Sequence, residues 1–374
     1  MNAKLKHIMI VTSEFPPLPG GIGTHAYQLA LHLSRKGYRV SVVADQRAKQ
    51  VEDERDFDRN LPFEVRRVRI RSFRPIMYLN RICLVFQNLR HTSHVIATGK
   101  FSLWNVALCT LIFKRPSLAV IHGTEVNYKA PLLRRSIAMA LRRFSAVVAV
   151  SHYTKGLIAH LNLPVAVIPN GIDLDGWVRP KSSKKPLAGS PVLTTVGRVS
   201  ARKGQLQVIK LLPHLLSRFP ELHYHCVGIM GEAAEFIKIA EKLGVASRVT
   251  FHGSVAHDTL LDFLAQTDVF VMMSVESTTG DVEGFGIAIL EANAMGVPAI
   301  GATGCGIEDA IKQGTSGFLV PNGDGKAFGD ALEHILNAKD TFSDSARQWA
   351  AAHDWNVVVE QYLELLDKTG SGLS

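Results

Sequence analysis

The sequence predicts an α/β protein of two doubly wound domains, each with a parallel sheet covered by helices. The chain has 374 residues, of which 47% are hydrophobic, so each domain can fill a core. Short β-branched runs alternate with amphipathic helical patterns in both halves, which is typical of parallel sheets. A polar stretch at 179–186, with Gly-Ser-Pro at 189–191, indicates a linker. We therefore expect domains over 1–180 and 181–350, and a terminal helix over 351–374.

The apolar runs predict ten strands, because each is bounded by turn residues and is too short for a helix. They lie at 8–11, 40–43, 118–121, 146–150 and 165–168 in the first half, and at 192–196, 224–227, 249–251, 269–273 and 298–300 in the second. The last helical pattern contains Trp355, Val358, Val359, Tyr362, Leu365 and Leu366. This helix either caps the second domain or crosses back to the first.

Composition excludes several classes of protein. No apolar run approaches the roughly 20 residues that span a bilayer, so we expect a cytoplasmic protein. The four cysteines contain no C-x-x-C pair, so a disulfide framework and a zinc site are not supported. Two D-x-D triplets, Asp56 with Asp58 and Asp173 with Asp175, follow no buried strand with other ligands nearby. We expect no metal and no other cofactor.

The positive charge belongs to the first half of the chain. Residues 1–180 carry 26 Lys and Arg against 11 Asp and Glu, a balance of +15, and the remainder has a balance of −6. Such a face attracts an anionic acceptor, an anionic membrane or nucleic acid, or is simply solvated. Few aromatic residues interleave the basic ones, so we expect no nucleic-acid partner. The charge concentrates in two clusters, Arg66, Arg67, Arg69, Arg71 and Arg74, and Arg134, Arg135, Arg142 and Arg143.

Residues 280–291 hold two glutamates, one at either end of a glycine-containing turn that leads into a helix. Glu283 can face a ligand, and Glu291 lies about two helical turns further on the same side. A helix that begins near Gly286 offers unpaired N–H groups, which suit a phosphate. Two glutamates at this spacing also occur on solvated helix faces. A hydroxyl-rich ligand with a phosphate suggests a sugar nucleotide.

Two cations follow the predicted strand 192–196. Arg198 and Lys203 therefore lie at the carboxyl edge of a parallel sheet, where such folds bind ligands, and together they could neutralise a diphosphate. His122 follows the strand 118–121 in the same way. A lone histidine is most often structural, and an isolated Arg and Lys are often only surface charges.

Gly21, Gly23 and Ala26 fit the G-x-G-x-x-A pattern of dinucleotide-binding proteins, and Asp45 lies about 20 residues further on. That fingerprint requires its glycines directly after the first strand. Here residues 12–20 intervene and contain three prolines, which favour an extended loop. A dehydrogenase is therefore disfavoured. The glycines instead allow close backbone approach to a phosphate or sugar.

These motifs in this order resemble the retaining glycosyltransferases of family 4, which have the two-domain GT-B fold with the domains facing a cleft. The resemblance covers nearly the whole chain. It includes Asn170, Gly171, Ile172 and Asp173, a turn at the domain junction in that family, and the glycines of 301–306. One departure is the segment 272–281, which is longer and more polar than in the family.

The resemblance implies transfer of a hexose, without a metal, from a nucleotide diphosphate to a glycan or lipid-linked acceptor, as in polysaccharide biosynthesis. Arg198 and Lys203 would bind the diphosphate and Glu291 the ribose, while Glu283 and His122 would bind the transferred sugar. Backbone near Val255 would contact the base. The remaining donor-binding residues would be Gly21, Gly23, Phe285, Gly286 and Ile287.

Two other functions stay open. A GT-B nucleotide-sugar epimerase would use the same donor site, and a non-catalytic subunit would bind the donor without turnover. The resemblance implies a GDP- or UDP-hexose as the donor, and the motif around Glu283 is most similar to mannosyl-transferring members. The charge of the first domain would place the enzyme peripherally on the inner face of a membrane.

Overall fold

The computed structural model describes residues 6–48, 51–71, 73–180 and 186–371. The chain divides into two compact units. The N-terminal unit comprises Met1–Gly171 and Trp355–Ser374, and the C-terminal unit comprises Ile172–Asp354. The predicted boundary at 180 lies further along the chain than the boundary after Gly171. Residues 181–185 of the predicted linker lie outside the described residues.

The N-terminal unit contains a parallel sheet of seven strands in the order β3-β2-β1-β4-β5-β6-β7. Nearly every side chain of its central strands is buried, because helices cover both faces. The strands are β1 (His7–Thr12), β2 (Arg39–Asp45), β3 (Glu64–Val68), β4 (His94–Thr98), β5 (Ser117–Ile121), β6 (Ala146–Ala149) and β7 (Val165–Val167). The helices are α1 (Gly21–Arg35), α2 (Val51–Arg59), α3 (Arg74–Leu89), α4 (Lys100–Cys109), α5 (Pro131–Leu141) and α6 (His152–Leu157).

The C-terminal unit contains a parallel sheet of six strands in the order β10-β9-β8-β11-β12-β13. The strands are β8 (Val192–Val196), β9 (His223–Val227), β10 (Val249–Gly253), β11 (Val269–Met272), β12 (Ala299–Ala302) and β13 (Gly317–Val320). The helices are α7 (Gln205–Leu215), α8 (Ala233–Lys242), α9 (His257–Ala265), α10 (Ile287–Ala294), α11 (Gly325–Asn337) and α12 (Lys339–Ala352). In both sheets the strand order reverses beside the first strand of the unit, which is where doubly wound folds bind ligands.

The ten predicted strands are confirmed to within two residues at each end. Three further strands, β3, β4 and β13, were not predicted. β3 forms a sheet edge, where a strand needs no continuous apolar run, and it carries Glu64, Arg66 and Arg67. β13 forms an edge of the other sheet and has an apolar run of only three residues, 318–320. β4 is wholly buried but has only three apolar residues between His94 and Thr98.

The last helix, α13 (Trp355–Ser371), belongs to the N-terminal unit, where it packs on α1. Its predicted apolar face is confirmed as buried, with Trp355 and Tyr362 nearly inaccessible to solvent. Both rings make edge contacts with His25 of α1, at centroid distances of 5.2 and 5.9 Å. No helix within the described part of the chain has the length and apolar character needed to cross a lipid bilayer.

Candidate functional site

The loops after β8 and β11 meet at the point where the C-terminal sheet reverses its strand order. Gly204 ends the first loop at φ 82°, and a Cβ there would lie 1.9 Å from the carbonyl oxygen of Met273 in the second. The two backbones are therefore closer than any side chain at position 204 allows. The N–H of Val275 also donates to the carbonyl of Arg202 at 3.2 Å. These contacts bring predicted site residues from two loops together.

Glu283 is the centre of an ionic cluster between these loops. Its Oε2 lies 2.7 Å from the Lys203 ammonium and 2.5 Å from the Arg202 guanidinium, and Arg202 also reaches Asp281 at 3.1 Å. Only 12% of the Glu283 side chain is exposed. Burial acts to raise the pKa of this carboxyl, but the two cations outweigh it and hold the pKa below its ordinary value. Glu283 is therefore ionised at neutral pH.

Arg198 stands at the carboxyl end of β8 with an exposed side chain. It makes no ion pair with any residue that the structure describes. Gln205, which is fully buried, braces this loop by donating to the Arg198 carbonyl at 3.2 Å and accepting from the Ser200 N–H. The backbone of this loop is thus held in place, and the exposed guanidinium is open to an anion.

Glu291 lies on α10, which begins directly after Gly286, as the sequence predicted. Gly286 has φ 92° and provides no side-chain cap. The Ile289 N–H donates to the Gly286 carbonyl at 2.9 Å, so the N–H groups that a helix start can offer to a ligand are those of Ile287 and Ala288. Burial raises the pKa of Glu291 to about 7, although the Lys203 charge opposes the shift. The two glutamates of this segment therefore differ in protonation, since Glu291 titrates near neutral pH and Glu283 does not.

Three other predicted donor residues lie in the C-terminal unit. Val255 follows β10 and is half-buried, and Ile287 is the first residue of α10. The Phe285 side chain is buried and packs 6.1 Å from the His353 ring, so it can offer a ligand only its backbone. In the glycine-rich turn after β12, the Gly306 N–H donates to the Glu283 carbonyl at 3.0 Å. That bond fixes the backbone of Glu283.

In the N-terminal unit, Gly21 and Gly23 lie in the first turn of α1, after an extended loop. A Cβ on Gly23 would lie 3.1 Å from the Phe15 nitrogen, so the helix start packs tightly on that loop. The carboxylate of Asp45, required for a dinucleotide fingerprint, is held by Arg81 at 2.8 Å. This ion pair agrees with the prediction that the chain is not a dehydrogenase.

His122 follows β5 and is kept neutral by its surroundings. Burial lowers its pKa well below the ordinary value, and the neighbouring His25 lowers it further. The Nε2 atom is 2.8 Å from the Thr98 hydroxyl. His25 donates from Nδ1 to Asn170 at 2.8 Å, so the predicted turn at 170–173 also fixes the ring beside His122. At neutral pH His122 can therefore form hydrogen bonds with a ligand as an uncharged ring, which has one N–H donor and one nitrogen acceptor.

The carboxylates of the first acidic triplet are paired with arginines. Asp56 and Asp58 lie on α2, where they pair with Arg59 and Arg67. Among the described residues no group of three His, Cys, Asp or Glu is placed to hold a metal ion.

The two basic clusters differ. Arg67 is buried against Glu54 and Asp58, and Arg66 pairs with Glu64, so much of the first cluster is neutralised internally. The Arg74 side chain lies outside the described part of the structure. The second cluster, Arg134, Arg135, Arg142 and Arg143, is exposed and makes no ion pair with a described residue.

Sequence reasoning missed Arg202, Asp281 and Gln205. Arg202 directly precedes Lys203, and nothing in the sequence shows that both cations point to the same carboxylate. The polar segment 272–281 was recognised as unusual, and a turn from Ser277 to Asp281 explains it: Ser277 accepts the Asp281 N–H at 2.8 Å. That turn carries the Asp281 carboxylate to Arg202.

Comparisons with known proteins identify the family of this chain. The family described as Glycosyltransferase Family 4 matches residues 19–175, and that described as Glycosyl transferases group 1 matches residues 178–353. A GDP-mannose-dependent alpha-(1-6)-phosphatidylinositol monomannoside mannosyltransferase of Mycobacterium tuberculosis is 27% identical over 97% of this chain and 98% of its own. A GDP-mannose-dependent monoacylated alpha-(1-6)-phosphatidylinositol monomannoside mannosyltransferase of Corynebacterium glutamicum is 26% identical over 90% of each chain.

A solved structure has the same fold. Anabaena HepE in complex with UDP and glucose aligns with a TM-score of 0.76 and 21% identity, over 97% of this chain and 100% of its own.

The ionic cluster predicts a stability difference between two isosteric variants. Glu283→Gln leaves Arg202 and Lys203 facing a neutral amide in a mostly buried setting, which should lower the free energy of unfolding by about 1–3 kcal/mol. The control is Glu333→Gln, which breaks an exposed pair with Arg218 and should cost at most about 0.5 kcal/mol. Thermal unfolding at neutral pH measures both. Equal melting temperatures for the two variants would show that the ionic cluster does not stabilise the fold.

Proposed function

The chain belongs to glycosyltransferase family 4 and has the GT-B fold, and from this premise we propose its donor, its acceptor and the residues that bind them. The protein is a nucleotide-sugar glycosyltransferase. We propose that it transfers mannose from GDP-mannose, with retention of the anomeric configuration, to a lipid-linked acceptor. The single observation that carries the donor site is the contact between Lys203 and Glu283, which joins the loops after β8 and β11. Arg198 lies on the first of these loops with an exposed side chain.

The proposed roles follow from the charges. Breaking the bond between sugar and diphosphate places negative charge on the leaving group, and Arg198 and Lys203 stabilise it. Arg198 is open to the anion already, whereas Lys203 is shared with Glu283. Glu283, held ionised by its cations, accepts hydrogen bonds from hydroxyls of the transferred sugar. The burial of His122 lowers its pKa well below the ordinary value, and the family resemblance implies that this neutral ring is a further hydroxyl partner for that sugar.

The support for mannose, GDP and a lipid-linked acceptor is the similarity to mycobacterial and corynebacterial enzymes. Both are named as GDP-mannose-dependent, and both act on phosphatidylinositol mannosides. A UDP-hexose is the alternative donor, since HepE, which shares the fold, was solved with UDP and glucose. Calorimetric titration of the full chain with GDP, UDP and ADP tests the choice. Tightest binding of GDP is expected, and preferential binding of UDP would replace the proposed donor.

Glu291, proposed to bind the ribose, predicts a pH-dependent donor affinity. The ionised carboxylate accepts both ribose hydroxyls, so binding should strengthen as pH rises through the pKa of about 7. If only the ionised form binds, affinity for GDP-mannose should rise about tenfold from about pH 6 to about pH 8. Glu291→Gln should bind more weakly and show no such rise, while Glu333→Gln should behave as wild type.

Calorimetry with GDP-mannose is the suitable measurement. Its diphosphate is esterified at both ends, so the ligand lacks the phosphate ionisation near a pKa of about 6 that GDP adds. If the affinity of the wild type for GDP-mannose does not change with pH, or if it changes equally in Glu291→Gln, Glu291 does not bind the ribose.

We propose that the reaction needs no divalent cation. Arg198 and Lys203 supply positive charge where a metal would otherwise neutralise the diphosphate. Turnover of GDP-mannose should therefore persist in excess EDTA. Loss of turnover that Mg²⁺ or Mn²⁺ restores would contradict this assignment.

We further propose that the N-terminal unit associates peripherally with anionic lipid on the inner face of the membrane. α5 exposes Leu132 and Met139, with 78% and 64% of their surface accessible, beside the unpaired Arg134 and Arg135. Apolar side chains next to arginines are typical of helices that lie in the interface of an anionic bilayer.

Vesicle flotation tests the role of α5. Each arginine near anionic lipid contributes about 1 kcal/mol, so Arg134→Gln with Arg135→Gln should weaken binding at least about tenfold. The control, Lys238→Gln with Lys242→Gln on exposed positions of α8, removes the same charge and should bind as wild type. Binding should also fall with added salt. Equal flotation on neutral and anionic vesicles would show that the arginines are merely solvated.

A further inference from the structure

The N-terminal unit has a cluster of aromatic and charged side chains that none of the roles above uses. It lies on the first turns of α4 and on the loop after β5, near the carboxyl edge of the sheet. The rings of Trp104 and Tyr128 are nearly parallel, inclined by 16° with centroids 6.0 Å apart. The Lys100 ammonium lies 5.7 Å from the centre of the Tyr128 ring. All three side chains are half-buried, so a ligand can reach them.

Two polar atoms of the same cluster have no hydrogen-bond partner among the described residues. They are Nε1 of Trp104 and Oε2 of Glu125. The Glu125 side chain is completely buried, and its other oxygen accepts the His122 N–H at 2.5 Å. Buried polar atoms are almost always hydrogen-bonded, and leaving one unpaired costs about 1–3 kcal/mol. A donor and an acceptor left unpaired in one cluster therefore indicate a place that a hydroxyl-bearing ligand completes.

The charges of the cluster point to an anion on that ligand. Lys100 forms no salt bridge with any described residue, and its charge acts on the buried Glu125. Lys100 is also the first residue of α4, a helix of ten residues whose N-terminal N–H groups have no side-chain cap. An ammonium beside an uncapped helix start is a suitable setting for a phosphate.

The aromatic rings define the rest of the ligand. One face of a pyranose or cyclitol ring consists of C–H groups, and burying it on an aromatic face removes apolar surface from water. The hydroxyls at the rim of such a ring can meet Trp104 Nε1 and Glu125 Oε2. A flat apolar anion could stack on the rings and pair with the lysine, but it would form no hydrogen bonds with these two polar atoms.

We propose that Lys100, Trp104, Tyr128 and Glu125 form an acceptor subsite that binds a cyclic polyol carrying a phosphate group. The inference rests on the proposed transferase function, because it assigns this surface to the acceptor. The phosphate belongs either to a soluble polyol phosphate or to a lipid headgroup. Glu125 also positions the loop of His122 through the hydrogen bond to its backbone.

The test uses the full-length protein and three probes. Calorimetry measures binding of myo-inositol 1-phosphate and of inorganic phosphate, and flotation measures binding to phosphatidylinositol vesicles against phosphatidylcholine vesicles. The variants are Lys100→Met and Trp104→Leu. The matched control is Arg90→Met, which removes a cation that lies 4.9 Å from the Phe113 ring beyond the far end of α4.

The proposal expects Lys100→Met to weaken binding of the inositol phosphate or of the phosphatidylinositol vesicles at least about tenfold, and Arg90→Met to leave it unchanged. Trp104→Leu should weaken binding of the same probe. The tryptophan emission of this variant should no longer change when the probe is added. An effect on the soluble probe identifies the headgroup alone as sufficient, and an effect confined to vesicles identifies a lipid-linked acceptor. If Trp104→Leu does not fold, as judged by circular dichroism, Lys100→Met decides.

Two results would overturn the subsite. One is that the wild type binds none of the three probes, and the other is that Lys100→Met and Trp104→Leu bind them as Arg90→Met does. GDP titration of the same samples separates this outcome from failure of the transferase assignment. Retained GDP binding with no variant effect rejects only the subsite, whereas absence of any nucleotide binding rejects the proposed donor site.

Discussion

The candidate donor site depends on one carboxylate that holds two cations. Glu283 receives the charges of Lys203 and Arg202 on the same oxygen, and its backbone carbonyl accepts the Gly306 N–H. Three loops, after β8, β11 and β12, therefore meet at one residue. The close approach of Gly204 to Met273 allows this arrangement, because a side chain there would separate the loops. The ionic cluster then fixes where the charges stand.

Much of this could be predicted from the sequence. Parallel-sheet topology places residues after strands at one edge, so the positions of Arg198, Lys203 and His122 followed from their spacing to apolar runs. The helix start at Gly286 followed from its glycine and the pattern after it. What could not be predicted is which charged side chains form ion pairs with one another. Arg202 resembles any surface arginine until the turn from Ser277 to Asp281 places a second carboxylate beside it.

The basic charge of the N-terminal half illustrates the same limit. A count of charges does not distinguish Arg67, buried between two carboxylates, from Arg134, which is exposed without an ion partner in the described chain. Arg81 is likewise buried against Asp45 and contributes to packing, not to an external field. Exposed arginines without an ion partner in the described chain, such as Arg134, Arg135, Arg142 and Arg143, therefore contribute to the field of this unit. Surface attraction depends on the unpaired charges and not on the sum.

The two glutamates of the same segment show how environment separates chemically identical groups. Both are shielded from solvent, and shielding alone raises the pKa of each. Glu283 has two cations in direct contact and stays ionised, whereas Glu291 feels Lys203 only at longer range and titrates near neutral pH. A diphosphate that draws Lys203 away would weaken the restraint on Glu283, and Arg202 would then be the cation that keeps it ionised. On this argument Arg202 allows Lys203 to serve the leaving group while Glu283 remains charged to bind the sugar.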